Sequence, residues 1–325
     1  MKDEKLMKKP ILRQLVVILL ALSLVFGSYF AYLYLALIPH HYRIGASYMT
    51  MNNAFYRIVN AEIEKVTDAK GDHIYVRDPA LNVSKQCQQI ESFISKKVDA
   101  IIINPVSNSP KILKILKKAK AKGIKIIVID SQLKDSHLAD MTIVSDNYQA
   151  GVLCAQNMMQ TTSQAKILLL KHSQAFSARD RIKGFLDTIA NKPNYQVVAE
   201  EETLGQTEIA MPEVKKVIQA GITFNVVMAL NDQSALGALA AIKEQALPGK
   251  TYIYGVDGSP NMKMLLTNTS DIQATVAQSP LTIGKKAIDK TYDLLHKKQT
   301  KKQVVVPVQL IDKSTIHQFD TTRWQ

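Results

Sequence analysis

Short apolar stretches alternate along most of the chain with longer segments in which apolar residues recur at helical spacing. The short stretches, such as residues 98–103 and 124–129, are rich in Ile and Val and predict buried β-strands. The longer segments, such as residues 85–97 and 111–122, predict amphipathic helices. Continuous apolar strands with helices between them are typical of a parallel sheet covered on both faces. We therefore predict an α/β fold.

The number of these units bounds the domain organisation. About ten strand-helix units occupy roughly 285 residues after the N-terminal segment, which is more than a single core usually holds. Two lobes are therefore expected. No linker rich in Gly or Ser separates them, so we expect the chain to cross between the lobes through ordered strands that form a hinge.

Three of the predicted strands end in a polar residue that follows directly on the apolar stretch. These residues are Asn231, Asp257 and Gln278. Ligands of open α/β sheets bind just beyond the carboxyl ends of the strands. The three side chains are therefore expected to converge on one small molecule.

The N-terminal region combines basic residues with a long apolar stretch. Residues 15–38 hold no charge, and as a helix they would span about 36 Å, which exceeds the bilayer core of about 30 Å. Basic residues outnumber acidic ones before this stretch, so the positive-inside rule places residues 1–14 in the cytoplasm and the chain from about Pro39 onward outside. We expect a single-pass anchor in the cell membrane and an extracytoplasmic domain.

A cleaved signal peptide is the alternative interpretation of this region, because residues 15–26 have the length of a signal-peptide core. Val25-Phe26-Gly27 is a poor cleavage site, and cleavage there would leave residues 29–38 as a bare apolar terminus. No cysteine lies near the end of the apolar stretch. A lipid-modified N-terminal cysteine is therefore excluded as a different anchor.

The formal net charge of +13 could suggest a nucleic-acid partner. The basic residues concentrate in residues 111–125, however, where they alternate with apolar residues at helical spacing. This pattern is typical of an amphipathic helix whose basic face is solvated and whose apolar face is buried. Contact of the basic face with anionic lipid headgroups is the alternative interpretation. The sequence holds no recognisable nucleic-acid-binding module, and we expect no nucleic-acid partner.

Candidate catalytic and metal sites fail on inspection. The seven histidines lack ligand spacing, and Cys87 and Cys154 are expected to be small buried apolar residues, so neither a metal site nor a cofactor is predicted. Gly249-Lys250-Thr251 resembles the end of a phosphate loop, but Glu244 stands where the first glycine should be. No nucleophile elbow or dinucleotide fingerprint is present. We therefore expect a protein that is not an enzyme.

Eight motifs, in this order, resemble ribose-binding proteins and related type I periplasmic sugar-binding proteins over nearly the whole chain from Tyr42. They are Met51-Asn52-Asn53-Ala54-Phe55-Tyr56, Ile102-Ile103-Asn104-Pro105, Gly123-Ile124-Lys125-Ile126-Ile127-Val128-Ile129-Asp130, Ser145-Asp146-Asn147 with Gly151, Ala178-Arg179-Asp180-Arg181 with Gly184-Phe185, Asn231-Asp232 with Ala235-Leu236-Gly237-Ala238, Gly255-Val256-Asp257-Gly258, and Ala277-Gln278 with Pro280 and Ile283-Gly284.

The resemblance implies two Rossmann-like lobes with parallel sheets joined by a hinge, the periplasmic binding protein type I fold, here preceded by one transmembrane helix at residues 15–38. The N-terminal lobe would comprise residues 42–146 and 279–307. The C-terminal lobe would comprise residues 147–278 and 308–325.

The resemblance also implies a monosaccharide ligand between the lobes. Asn53 would bind a hydroxyl and Phe55 and Tyr56 would cover an apolar ring face from the first lobe. The hydroxyl-binding residues implied on the second lobe and at a crossover are Arg179, Asn231, Asp257 and Gln278.

Departures from the ribose-type pattern bear on ligand identity. Ser107 stands where that pattern has an Asp, and Val256 stands where it has a Phe. Residues 203–208 also hold no aromatic that could complete a sandwich around the sugar, and Phe176 is the nearest candidate to compensate. These departures argue against ribose itself, and another pentose, a hexose, a polyol or a furanose-like ligand stays open.

Each candidate residue also has a structural explanation. Asn53 and Asn231 could cap the helices that follow them. Phe55 and Tyr56 could belong to the core. Asp257 begins an ordinary turn pair with Gly258, and Arg179 could be a surface residue beside Asp180.

Two partners fit such a binder: the permease of an ATP-driven sugar importer, or a membrane histidine kinase for which the protein is the sugar sensor. Only residues 39–41 separate the apolar stretch from the first strand, so the domain would stay within about 10 Å of the bilayer. A short connection suits a fixed pose beside one membrane partner.

Overall fold

The structure is a computed structural model that describes residues 3–37, 41–247 and 249–325. The chain divides into two compact units, residues 1–41 and 42–325. In the first unit, the helix contains a stretch, Arg13–Leu33, with mean hydropathy 2.3 that is long and apolar enough to cross a membrane. A signal sequence near an N-terminus meets the same criteria. The predicted span ends at Ile38, which lies outside the described residues, as do Pro39 and His40 of the connection.

The described residues form ten α-helices and twelve β-strands. In chain order they are α1 (Asp3–Leu37), β1 (Arg43–Ser47), α2 (Ala54–Lys70), β2 (His73–Arg77), α3 (Val83–Ser95), β3 (Ala100–Ile103), α4 (Pro110–Ala121), β4 (Lys125–Ile129), β5 (Met141–Ser145), α5 (Asn147–Thr161), β6 (Ala165–Lys171), α6 (Phe176–Ile189), β7 (Tyr195–Glu202), α7 (Thr207–Gln219), β8 (Val226–Ala229), α8 (Asp232–Glu244), β9 (Tyr252–Asp257), α9 (Pro260–Asn268), β10 (Ile272–Ala277), α10 (Pro280–Leu295), β11 (Gln303–Val306) and β12 (Gln309–Asp312), with 3-10 helices at Ser136–Leu138 and Ile316–Gln318.

Two six-stranded sheets organise residues 42–325. The first lobe is built on the order β11-β5-β4-β3-β1-β2 and the second on the order β12-β10-β9-β8-β6-β7. All paired strands are parallel except β12, which runs antiparallel to β10. The predicted α/β architecture of two lobes with parallel-dominated sheets is confirmed.

The antiparallel strand β12 follows from how the chain crosses between the lobes. β11 lies parallel to β5, and only Pro307 and Val308 separate it from β12. The chain therefore enters the second sheet from the cleft edge and must run against the other strands. The chain also crosses between β5 and α5 and between β10 and α10, so three connections join the lobes within the described ranges.

Local sequence explains where the helices begin. Side chains of Asn, Ser and Asp at the N-caps accept backbone N–H groups at the start of most helices, and proline occupies the first turn of α4, α9 and α10. The lysine-rich helix α4 buries Ile112, Leu116 and Ala119, as its spacing predicts. Cys154 is buried, whereas Cys87 is only half-buried.

The core lies on both faces of each sheet. Four clusters of buried apolar residues are present among the described residues, and all of their members come from residue 42 onward. Residues 42–325 therefore carry their own core.

Candidate functional site

Polar and aromatic side chains from both lobes meet in one cavity between the carboxyl edges of the two sheets. The space between the side chains that line it amounts to about 410 Å³, part of which is open solvent. Its lining residues are Met49, Asn53, Phe55, Tyr56, Asp130, His172, Ala175, Ser177, Ala178, Arg181, Leu204, Gly205, Gln206, Leu230, Asn231, Asp257 and Gln278.

Six of the nine residues predicted from sequence line this cavity. The structure places the other three outside it. The Ser107 hydroxyl accepts the Ser109 backbone N–H within a turn. Phe176 lies under the exposed Arg179, whose guanidinium carbon is 4.9 Å from the ring centroid. The six that line the cavity are Asn53, Phe55, Tyr56, Asn231, Asp257 and Gln278.

Arg181, not Arg179, brings a guanidinium to the cleft. The buried residues of α6 include Ser177, Ala178, Arg181 and Phe185, which share one helix face. Arg179 precedes Arg181 by two positions, about 200° around the helix, and therefore faces solvent. The helical period of the apolar and small residues would have identified the correct arginine.

The guanidinium of Arg181 is held at the centre of the site, with only 4% of the residue exposed. Nε donates to Asn147 Oδ1 at 2.8 Å, and Nη1 donates to the Leu230 carbonyl at 2.9 Å. Nη2 lies 3.8 Å from Asp130 Oδ1, and Nη1 lies 3.8 Å from Asp257 Oδ1. The cation is thus shared between one carboxylate of each lobe without a short bond to either.

Two glycines fix the helix that carries this arginine. A methyl group at Gly151 of α5 would lie 1.8 Å from the Arg181 carbonyl oxygen, and one at Gly184 of α6 would lie 2.1 Å from the Tyr148 carbonyl oxygen. Neither position can hold a side chain unless the backbones move apart. The close crossing of α5 and α6 therefore sets the position of Arg181.

The two carboxylates occupy equivalent places at the ends of strands. Asp130 follows β4 with φ of 61°, and Asp257 ends β9 with φ of 141°. Asp130 accepts from the Tyr56 hydroxyl at 3.0 Å and from Asn104 Nδ2 at 3.2 Å, whereas Asp257 accepts from Gln278 Nε2 at 2.7 Å. Positive φ is unfavourable for a residue with a side chain, and such strain concentrates at functional sites.

Burial controls the protonation of these groups. Burial raises the pKa of Asp130 above its usual value, and Arg181 opposes that shift. Burial raises the pKa of Asp257 further, again against Arg181, while the Asp232 carboxylate adds to the rise. The pKa of the Tyr56 hydroxyl is raised by its burial and by Asp130. These carboxyl groups are desolvated acceptors that hydroxyl donors of a ligand could compensate.

The asparagine and glutamine side chains combine structural bonds with places at the cavity wall. Asn53 Oδ1 accepts the Phe55 N–H and Asn231 Oδ1 accepts the Ser234 N–H, so both residues are helix caps. Both also line the cavity. Gln278 Oε1 is buried and has no hydrogen-bond partner among the described residues. Buried acceptors of this kind are few in folded proteins, and this one belongs to a residue that lines the cavity.

Hydrogen bonds join the lobes around the cavity. Asn52 Nδ2 donates to Glu208 Oε1 at 2.6 Å. On the other side, Gln132 Nε2 donates to Asp180 Oδ2 at 3.1 Å. The two lobes are therefore in a closed arrangement.

Sequence reasoning missed several lining residues, chiefly Asp130, Arg181, His172 and Gln206. Asp130 comes at the end of an apolar strand, as Asp257 does, and this position in the sequence could have identified it as a site residue. His172 follows β6 in the same way, and its burial lowers its pKa while Glu202 opposes the shift. Gln206 immediately precedes α7, and we find no sequence signal for it.

The chemistry of the site is hydrogen bonding and apolar contact. Arg181 offers fixed donors, the carboxylates accept from neighbouring hydroxyls, and the amides do both. Aromatic rings suit the C–H face of a sugar. The described residues contain no group of three or more His, Cys, Asp or Glu side chains that could hold a metal ion.

Comparison with known proteins places this architecture among binding proteins. The profile of the family described as periplasmic binding protein domain matches residues 44–299. The ribose import binding protein of Bacillus subtilis (strain 168) is 31% identical over 274 residues, which cover 83% of this chain and 87% of that protein. The galactofuranose-binding protein of Escherichia coli (strain K12) is 29% identical over 280 residues, covering 82% and 83%.

Solved structures agree with this result. The periplasmic binding component of the arabinose ABC transporter from Shewanella sp. ANA-3, bound to α- and β-L-arabinofuranose, has a TM-score of 0.77 and 29% identity, covering 85% of this chain and 93% of its own. An ABC transporter solute-binding protein from Mycobacterium smegmatis has a TM-score of 0.82 at 24% identity, covering 88% and 100%. The second likeness concerns the fold alone.

Proposed function

Because the chain belongs to the periplasmic binding protein domain family, we propose that it binds a monosaccharide between its lobes as the substrate-binding component of a sugar ABC transporter. The observation that carries this proposal is the Arg181 guanidinium, set between the strand-end carboxylates of Asp130 and Asp257 beside Phe55 and Tyr56. The relatives are binding proteins, and no catalytic role is proposed.

The proposed contacts keep six of the residues predicted from sequence and replace Arg179 with Arg181. Phe55 and Tyr56 cover one face of the sugar, while the carboxylates, Arg181 and the amides of Asn231 and Gln278 bind its hydroxyls. The ribose-type pattern has an Asp where this chain has Ser107, but Asp130 supplies a carboxylate from the first lobe. The serine therefore no longer argues against a ribose-type ligand. Ribose therefore belongs among the sugars to be tested, beside other pentoses, hexoses, polyols and furanose sugars.

A thermal-shift screen of residues 42–325 against pentoses, hexoses, polyols and furanose sugars tests the proposal. A ligand at 100 times its dissociation constant should stabilise the folded domain by about 2.7 kcal/mol. Calorimetry on each hit should give a stoichiometry of one sugar per domain. A well-folded domain that none of these compounds stabilises would refute monosaccharide binding.

The proposal includes retention of residues 15–38 as a membrane anchor, supported by the length of the apolar stretch and the poor cleavage site. Full-length protein should remain with membranes after carbonate washing, and its N-terminal peptide should be recovered by mass spectrometry. A mature form that begins at Ser28 would show a cleaved signal peptide instead.

A sugar sensor for a membrane histidine kinase is the second candidate, favoured by the short connection between the apolar stretch and the domain. A short connection holds the domain beside a membrane partner, which benefits a receptor with one fixed partner but not a carrier that must diffuse freely. Crosslinking of full-length protein in membranes separates the candidates: a permease captured with the sugar present supports import, and a kinase supports sensing.

A further inference from the structure

The C-terminal segment touches both lobes by a route separate from the three crossing connections. Ile316 and Phe319 pack into an apolar cluster of the second lobe. Five residues after Phe319, the Trp324 side chain packs against an apolar cluster whose members come mostly from the first lobe. Its ring centroid lies 6.0 Å from that of Phe55, with the planes at 73°. The last residues therefore run from one lobe to the other.

A buried lysine fastens this segment to the second lobe. Lys263 of α9 is 0% exposed, which is rare for lysine unless its ammonium group is satisfied. Its Nζ donates to the Asp320 carbonyl at 2.6 Å and to the Arg323 carbonyl. The backbone next to Trp324 is thus held by the second lobe, while the Trp324 ring rests on the first.

The Trp324 ring backs the aromatic wall of the cavity. Phe55 lines the cavity, and Trp324 touches it without lining the cavity itself. Phe55 packs edge to face on Tyr56, with centroids 5.4 Å apart, and the Tyr56 hydroxyl donates to Asp130. A residue carried by the second lobe therefore supports a wall that belongs to the first, and it can do so only while the lobes keep this arrangement.

We propose that Trp324 is a positioning residue: held by Lys263, it stabilises the closed arrangement of the lobes and keeps Phe55 in place against the ligand. This inference rests on the proposed sugar site, which it deepens. Part of the closing tendency is then present without any sugar. The packing of one aromatic pair corresponds to a change of about two- to tenfold in the ratio of closed to open molecules.

The inter-lobe distance in sugar-free protein tests the proposal. Full-length protein in detergent carries Cys87→Ser, to remove the half-buried thiol, and label sites Ser95→Cys and Ser163→Cys, which are exposed positions on the first and second lobes. Distance distributions between the two labels are compared for Trp324, Trp324→Ala and Trp324→Phe. We expect Trp324→Ala to shift the distribution to longer distances and Trp324→Phe to retain most of the closed population.

Lys263→Met provides a second route to the same result, because it keeps the apolar stem and removes the bonds to the C-terminal backbone. It should lengthen the inter-lobe distance as Trp324→Ala does. Distances unchanged in Trp324→Ala, with only the melting temperature lowered, would reduce Trp324 to a packing residue and overturn the proposal. If Trp324→Ala does not fold, Trp324→Leu takes its place with the same expectations.

The distance measurement uses no sugar, so its result does not depend on whether the sugar screen succeeds. Failure of this proposal can therefore be distinguished from failure of the proposed function. With a sugar identified by that screen, Trp324→Ala should bind about two- to tenfold more weakly. A loss of affinity at unchanged distances would overturn the stabilisation of closure. Trp324 is the only tryptophan of the chain, so its own emission gives an independent record of the contact in the parent protein.

Discussion

The two lobes contribute different chemistry to the same cavity. The first lobe supplies an aromatic wall, Phe55 and Tyr56, with one carboxylate, Asp130. The second lobe supplies the guanidinium of Arg181 and most of the hydrogen-bonding groups, such as Asn231. An apolar face in one half and a polar edge in the other match the two surfaces of a sugar, so neither half alone offers a complete site.

The strand-end carboxylates make this comparison sharper, because they occupy equivalent positions with different support. Among the described residues, Asp130 has side-chain hydrogen bonds from Tyr56, Asn104 and Ser177, whereas Asp257 has one from Gln278. Burial raises the pKa of both carboxyl groups, and the pKa of Asp257 is raised well above its usual value. More hydrogen bonds therefore support the carboxylate of the first lobe than support that of the second.

The largest effect is expected from Arg181→Met, which removes the cation that both lobes share. Two buried carboxylates would lose their common partner, at a cost of about 3 to 5 kcal/mol in the free energy of unfolding. Sugar binding should be abolished. Urea denaturation and calorimetry measure the two effects.

Arg179→Met is the matched control on the same helix, because Arg179 is exposed and lies against Phe176. Its free energy of unfolding should stay within about 0.5 kcal/mol of the parent. If Arg179→Met lost as much sugar affinity as Arg181→Met, the loss would not be specific to the buried arginine, and the assignment of Arg181 as the binding residue would be wrong.

A smaller effect is expected from Asp257→Asn. Folding raises the pKa of Asp257, so the folded state keeps this proton to a higher pH than the unfolded state does. This carboxyl group therefore makes the free energy of unfolding fall as the pH rises from the usual carboxyl pKa to the raised one. Asp257→Asn should remove that part of the pH dependence and weaken sugar binding by about 1.5 to 3 kcal/mol.

Asp130→Asn is the comparison in the other lobe, where three side-chain donors and Arg181 already support the carboxylate. Its change in pH dependence should have the same sign and a smaller size. Urea denaturation of both variants over a pH series measures this difference. If the pH dependence of the free energy of unfolding changed more in Asp130→Asn than in Asp257→Asn, the carboxyl group with the more strongly raised pKa would be the one in the first lobe.

The smallest effect is expected from Tyr56→Phe, which removes one hydroxyl from the aromatic wall. The bond to Asp130 is worth about 0.5 to 1.5 kcal/mol. Its loss should weaken sugar binding, because Asp130 faces the cavity. Tyr48→Phe removes a hydroxyl bonded to Asn60 at 3.0 Å in the same lobe, and it should lower stability without changing affinity. Calorimetry and thermal melting of both variants make the comparison.

The fold could be predicted from sequence because strand and helix periods are local and strong. The residues that follow strands, such as Asn231, Asp257 and Gln278, could be placed at the cavity for the same reason. Arg181 was missed because a motif was used where the helical period should have decided between two arginines. His172 and Asp130 were missed although they also follow strands.

The C-terminal segment and the antiparallel strand β12 were harder to foresee, because both depend on contacts between distant parts of the chain. Nothing near Lys263 in sequence indicates that its ammonium group would meet carbonyls about sixty residues later. Trp324 lies outside any segment with the apolar periodicity of a strand or a helix. Such features are decided by tertiary packing, which local patterns do not record.

The close crossing of α5 and α6 has a consequence for how this binding site could be inherited. Gly151 and Gly184 do not line the cavity, yet a single added methyl group at either would displace the helix that carries Arg181. Divergent descendants of this protein can exchange cavity residues and so change their sugar, but they can lose these glycines only together with the place of the arginine. The glycine pair is therefore a marker, readable in a bare sequence, of lineages that still use a guanidinium at this position.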